Sequence, residues 1–178
     1  MRVTGGTNKG QRLSYPRDGL RPTRQDVKQA IFNILRPRIG QAHVLDLFCG
    51  AGALGIEALS AGADSVIFVE QDRRVLRYLR ENVRPFGPRT RIVAGDVLKV
   101  IPRLAGAGFD IILADPPYEQ GLDQAVLDAV ADSDLLRPNG LLVLEHGCRD
   151  KPVAPATLNL LKTRIFGDTL LSVYERIE

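Results

Sequence analysis

The chain has 178 residues, 44% of them apolar and 25% charged, with a formal net charge of +3. That is the make-up of one soluble, folded domain, too short for two and too apolar for a disordered chain. It contains no apolar run of bilayer length and no signal-peptide core, so a cytoplasmic protein is expected. Its two cysteines, Cys49 and Cys148, and its two histidines lack metal-ligand spacing, which argues against a metal centre or a disulfide framework.

The charge is unevenly spread. Residues 1–40 carry nine Lys/Arg and two acids, a net of +7, and the remainder carries a net of −4. A basic arm on an acidic body points to a polyanionic partner. The arm begins with Arg2-Val3-Thr4 and Gln11-Arg12-Leu13, which can pair across a Gly-rich turn. Pro22-Thr23 then opens a helix, with Thr23 as N-cap and Asp26 in the capping-box position. Val27, Ala30, Ile31, Ile34 and Leu35 recur at helical spacing until Pro37 stops the pattern.

From residue 41 strands and helices alternate. Strands are expected near 43–48, 65–70, 90–94, 109–114 and 140–145, and helices near 53–61, 72–84, 96–104 and 122–131. Gly62 and Gly87 mark helix ends as C′ glycines. The alternation implies right-handed βαβ units and a parallel sheet covered on both faces. The chain then closes with Leu158–Phe166 and Leu170–Ile177 around Gly167-Asp168, an antiparallel hairpin. Residues 1–40 thus read as a basic hairpin-helix extension and 41–178 as the main α/β domain.

Two motifs carry chemistry. Val44–Phe48 runs into Gly50-Ala51-Gly52-Ala53-Leu54-Gly55, a G-x-G-x-x-G between a strand and a helix, where backbone can approach a ligand closely. Glu70, at the end of the second strand, can grip a ribose diol. Asp46, at the mouth of the loop, opposes a pyrophosphate and favours a cationic ligand such as S-adenosylmethionine. Asp96 fits an adenine amino contact or a helix cap, and the Val97 amide can reach a ring nitrogen. With Phe48, these form the expected cofactor set. Cys49 reads as a small buried residue, because no histidine is placed to activate it.

The second motif, Asp115-Pro116-Pro117-Tyr118, follows an apolar strand and lies at its C-terminal edge. An exocyclic amine on a planar base is a poor nucleophile, since its lone pair is delocalised. Asp115 and the Pro116 carbonyl can accept hydrogen bonds from its N–H groups and localise that pair, with proline restricting the chain. Tyr118 can stack on the base, worth on the order of 1–3 kcal/mol. Asp115 can take the proton late.

Taken with Arg2–Gly6, Leu20-Arg21-Pro22-Thr23, Ile31–Leu35, Val69-Glu70 and Gly167-Asp168-Thr169, these motifs make the chain resemble the bacterial small-subunit ribosomal RNA methyltransferases that modify guanine at N2. The resemblance implies a Rossmann-like class I methyltransferase fold, a mostly parallel seven-stranded sheet with a terminal antiparallel hairpin. It also implies S-adenosylmethionine as donor and a guanine of ribosomal RNA within the small subunit as substrate. A monomer is the default expectation. Arg21 and Thr23 would lie beside the site and, with Arg2, Lys9, Arg12 and Arg17, on the RNA side. Arg24–Lys28 departs from the family pattern. One competing reading is a DNA adenine-N6 methyltransferase, disfavoured because the next strand's opening glycine, Gly140, comes only 22 positions after Tyr118. Two others are a protein-glutamine methyltransferase, whose motif usually starts with Asn, and a non-catalytic RNA-binding assembly factor.

Overall fold

A computed structural model describes residues 1–16, 24–118, 120–150 and 152–177. Seven strands form one sheet: β1 His43–Leu47, β2 Ser65–Glu70, β3 Thr90–Ala94, β4 Phe109–Ala114, β5 Leu136–Gly147, β6 Leu158–Phe166 and β7 Thr169–Arg176. Their order is β3-β2-β1-β4-β5-β7-β6; pairing is parallel from β3 through β5 and antiparallel for β5–β7 and β7–β6. Helices are α1 Gln25–Leu35, α2 Ala53–Ser60, α3 Arg73–Val83, α4 Val97–Val100 and α5 Leu122–Ala131. Among the described residues, no helix is long and apolar enough to cross a membrane.

Period-2 alternation in the strands divides the core. Val44, Val66, Phe68, Ile111, Leu113, Leu141 and Val143 face α1, α2 and α3, whereas Leu45, Leu47, Val69, Ile112, Ala114, Leu142 and Leu144 face α4 and α5. In α3 the stripe Val75, Leu76, Leu79 and Val83 is buried, which is the amphipathic face its spacing encodes.

Several local expectations change. The first helix starts at Gln25 with Arg24 as its N-cap residue, so Asp26 is two positions from the cap and makes no capping box; Thr23 lies outside the described residues. Gly62, at φ +110°, is the C′ residue of α2: its N–H donates to the Leu59 carbonyl and that of Ala63 to Ala58. Gly87 is not a C′ glycine; α3 ends at Val83 and a 3-10 stretch over Arg84–Arg89 breaks at Gly87. The helix expected over 96–104 is α4 plus a 3-10 turn, Ile101–Leu104. Pro102, lacking an N–H, cannot continue the α pattern. β5 begins at Leu136, four residues early, by way of an irregularity opposite Phe109.

The N-terminal strands meet at one antiparallel bridge, Arg2 to Arg12. The arm is seated on α2 by a buried acid. Glu57 accepts from Thr4 N, Thr4 Oγ1 and Gly5 N at 2.7–3.0 Å, and pairs with Lys28 Nζ of α1 at 2.7 Å; the two charged side chains are 3% and 1% exposed. Ser60 adds bonds to Gly5 O and from Asn8 N. Val3 and Leu13 join the same apolar cluster as the sheet.

Candidate active site

Strand order runs outward from β1 to β3 and then returns to β4 beside β1. The crevice outside the carboxyl ends of these two strands is the topological switch point, where open α/β sheets bind ligands. Leu47 pairs with Ala114, so the chain segments that follow, Phe48 on one side and Asp115 on the other, emerge side by side. They line a cavity of about 430 Å³, a size suited to a small molecule.

The β1 side is built on backbone strain and close packing. Phe48 has φ +56°, a left-handed conformation costly for a residue with a Cβ and one that clusters at functional sites. Gly55 packs against the strand: a Cβ there would come within 2.3 Å of the Phe68 ring and 2.9 Å of Asp46 Oδ2. Asp46 is 1% exposed, and its Oδ2 accepts the Gly55 N–H at 2.8 Å. Gly52, the N-cap residue of α2, has no side chain to satisfy these first-turn donors, so the acid from β1 does so. A helix N-terminus that would otherwise attract a phosphate is thereby occupied by a carboxyl. Burial, with a smaller contribution from Glu70, raises the Asp46 pKa to about 7. Glu70 accepts from Gly50 N at 2.9 Å and Asp72 N at 2.7 Å, stapling the loops after β1 and β2 while each oxygen keeps a second lone pair.

On the β4 side, Pro116 and Pro117 carry no N–H and end the strand after Ala114. Tyr118 swings back over the cavity and is gripped at its hydroxyl: it donates to Glu145 Oε1 at 2.8 Å and lies 3.1 Å from Thr169 Oγ1. Glu145 is on β5 and Thr169 opens β7, so the antiparallel hairpin delivers a residue to the site. Burial chiefly, then the neighbouring acids, hold the Tyr118 phenol neutral.

Asp46, Phe48, Gly50, Glu70, Val97, Asp115, Pro116, Pro117 and Tyr118 all line this one cavity. Gly52 and Asp96 do not. Gly52 points inward, where a Cβ would meet Leu79 Cδ1 at 2.7 Å. Asp96 Oδ1 caps α4, accepting Leu98 N at 2.9 Å. Cys49 is at the wall, and burial pushes its thiol well up, which leaves it a packing residue. Tyr15, Arg24, Glu145 and Thr169 are lining residues that motif reasoning did not single out by role. Among the described residues, no group of three or more His, Cys, Asp or Glu is placed to hold a metal.

Arg2 and Arg12 are exposed, and with Arg24 they line a groove between the N-terminal bridge and α1; Arg24 also lines the cavity. Lys9 is exposed at the turn, away from both. Arg17, Arg21 and Thr23 lie outside the described residues. The surface charge of the arm is smaller than its count: Lys28 is buried against Glu57, Arg24 pairs with Asp26, and Arg38 pairs with Glu175.

This strand order, ending in an antiparallel hairpin and carrying an acid-lined cavity at the β1–β4 switch point, is the class I methyltransferase fold. The solved structure of Escherichia coli yhhF has it at a TM-score of 0.90 and 32% identity, covering 99% of this chain and 98% of that one. A hypothetical protein of a Thermus species matches at 0.83 and 32% identity, covering 97% and 98%. The family model described as Conserved hypothetical protein 95 matches residues 1–175. Ribosomal RNA small subunit methyltransferase D of Escherichia coli K12 is 32% identical over 179 residues, which span 99% of this chain and 90% of that protein. The chain belongs to this methyltransferase D family.

Proposed function

We propose that the protein transfers a methyl group from S-adenosylmethionine to the exocyclic N2 amine of a guanine in small-subunit ribosomal RNA. The observation that carries this reading is one cavity shared by Asp46 and Glu70, which suit the donor, and by Asp115 to Tyr118, which suit the base.

The donor supplies an electrophilic methyl on a sulfonium. Asp46 offers a negative charge to its cationic end, and having taken the α2 donor at Gly55 it disfavours a pyrophosphate there. Glu70 would accept from the ribose hydroxyls, and the Val97 amide would serve the adenine end of the same cavity. Asp96 serves mainly to hold that turn, and Gly52 mainly to let α2 pack.

Asp115 and the Pro116 carbonyl would accept the two N–H bonds of the target amine and aim its lone pair. Tyr118, its hydroxyl fixed by Glu145 and Thr169, presents a ring that cannot swing away from a stacked base. Once the nitrogen carries the new methyl, its surplus proton leaves to Asp115. The exposed Arg2, Lys9 and Arg12 would meet phosphates, Arg17 joins them by the charge of the arm, and Arg21 and Thr23 are assigned to the same side by the family pattern. The name of the Escherichia coli relative supports ribosomal RNA as the substrate class. A base already exposed by RNA folding suits so compact a chain, acting as a monomer.

The test is transfer of labelled methyl to unmodified small ribosomal subunits, their naked RNA, duplex DNA and a release-factor protein, side by side. Label recovered as N2-methylguanosine from ribosomal material is the expected result. Label only in DNA or protein overturns the substrate, and cofactor binding without transfer to any of them overturns the enzyme reading.

A further inference from the structure

Tyr15 stands in the cavity wall although it belongs to the N-terminal arm, and neither motif accounts for it. Its position is over-determined. Leu13, two residues before it, is buried in the core. Ser14 is clamped by Asn82 of α3: its N–H donates to Asn82 Oδ1 at 2.7 Å, and Asn82 Nδ2 donates back to the Ser14 carbonyl at 2.9 Å. The same Nδ2 donates to the carbonyl of Ala51, inside the glycine loop, at 2.9 Å. One side chain, 4% exposed, therefore ties the arm and the glycine loop together.

Tyr15 also shares the cavity wall with both halves of the site. Its phenol is near enough to Asp46, Cys49 and Asp115 for burial, and then those groups in that order, to hold it neutral. In the reading proposed above, Asp46 attends the cationic end of the donor and Asp115 the target amine. The methyl would pass between them, within the cavity that Tyr15 also lines.

We infer that Tyr15 presents its ring to the donor's sulfonium and that Asn82 is the positioning residue that holds it there. The inference rests on the proposed use of S-adenosylmethionine. An aromatic face attracts a cation and gains little from the neutral thioether left after transfer. The ring would thus favour uptake of donor over retention of product, a discrimination that a space-filling residue cannot supply.

The test measures binding of S-adenosylmethionine and S-adenosylhomocysteine separately, by calorimetry, to wild type, Tyr15→Leu, Tyr15→Phe and Asn82→Leu, with melting temperatures as a control on folding. Tyr15→Leu should weaken the sulfonium ligand about tenfold while the thioether changes far less. Tyr15→Phe, which keeps the ring, should retain wild-type discrimination. Asn82→Leu should lower the ratio in the direction of Tyr15→Leu, and an unchanged ratio there overturns the clamp. Equal loss of both ligands, or no loss, in Tyr15→Leu overturns the role of the ring while leaving the proposed function standing. A wild-type chain that binds neither ligand overturns that function and this inference with it.

Discussion

Two regions of the molecule each bury an acid, and they treat it in opposite ways. At the seat of the N-terminal arm, Glu57 accepts three hydrogen bonds from Thr4 and one from Gly5 and faces Lys28 at 2.7 Å. At the cavity, Asp46 has the Gly55 N–H and, among the described residues, no cation; a second acid, Glu70, is near, and burial raises Asp46 toward neutrality. A buried charge with a full set of partners is finished: it joins elements and has nothing left to offer a ligand. A buried acid short of positive charge is a standing demand for a cation, and here it faces a cavity. The contrast separates a structural acid from the one that the proposed function assigns to binding, by what surrounds each.

The largest expected effect falls on the cavity side. Asp115→Ala should lower methyl transfer by roughly 10²–10³-fold, the range for losing one preorganised hydrogen-bonding group aimed at the charge that develops in the transition state, with little change in S-adenosylmethionine affinity. Unaltered transfer would remove Asp115 from the mechanism. On the arm side the loss is in stability. Lys28→Met leaves Glu57 buried without its cation and should cost on the order of 3–5 kcal/mol in chemical denaturation. The double replacement Lys28→Met with Glu57→Gln, which removes the charge but keeps an acceptor for Thr4 and Gly5, should recover much of that, and a double variant no better than the single one would show that the loss does not come from the unpaired charge.

Asp46 sharpens the contrast through pH. Its folded pKa of about 7 lies above that of an unfolded aspartate, so the native state holds the proton more tightly. This group's contribution to stability is therefore greatest at low pH and declines as pH rises from about 4 to about 7. A cationic ligand demands the carboxylate, so below about pH 7 it must expel that proton, and its affinity should fall by up to about tenfold per pH unit. Asp46→Asn, which can still accept from Gly55, should flatten the profile. A wild-type affinity independent of pH across this window would mean that Asp46 does not sense the ligand. Smaller again is Tyr118→Phe. It removes the donor to Glu145 and the partner of Thr169, and should cost about 1–2 kcal/mol, read mainly in KM for RNA, because the ring is retained but loosened.

How much of this could be read from the sequence follows from the range of each signal. The five strands of the parallel run, the amphipathic face of α3 and the glycine loop are written in spacings of a few residues, and they agree with the observed elements to within a few positions. Asp46, Glu70 and Asp115–Tyr118 declare themselves because each sits in or at the end of an apolar strand. Lys28 does not: its partner is on another helix, so a count of basic residues assigns it to the surface. The Asn82 clamp joins residues 68 and 31 positions apart. The left-handed Phe48 leaves no trace in residue type, since phenylalanine is a poor choice for that conformation. Asp96 reads as a cap or an adenine contact, with the cap favoured, and its carboxylate accepts from Leu98 N. Long-range polar pairing carries no periodicity, and so it escapes a reading built on periodicity.

The last and smallest effect concerns the charge that the arm still presents to solvent. Because Lys28 is buried and Arg24 and Arg38 are paired, the described basic residues of 1–40 left exposed without an acidic partner are Arg2, Lys9 and Arg12, which precede α1, and Arg36 at its end. Removing the partner of one phosphate should reduce the slope of log affinity against log salt by about 0.7–0.9. Replacing the three that precede α1 with Gln should therefore flatten the salt dependence of RNA binding in proportion to the number of phosphates they engage. Transfer at saturating RNA should stay near wild type, since none of the three lines the cavity. Arg2 and Arg12 share the groove that Arg24 connects to the cavity, whereas Lys9 is outside it. The pair should consequently account for more of the flattening than Lys9 does, and equal contributions from all three would mean that RNA lies across the whole arm instead of following the groove.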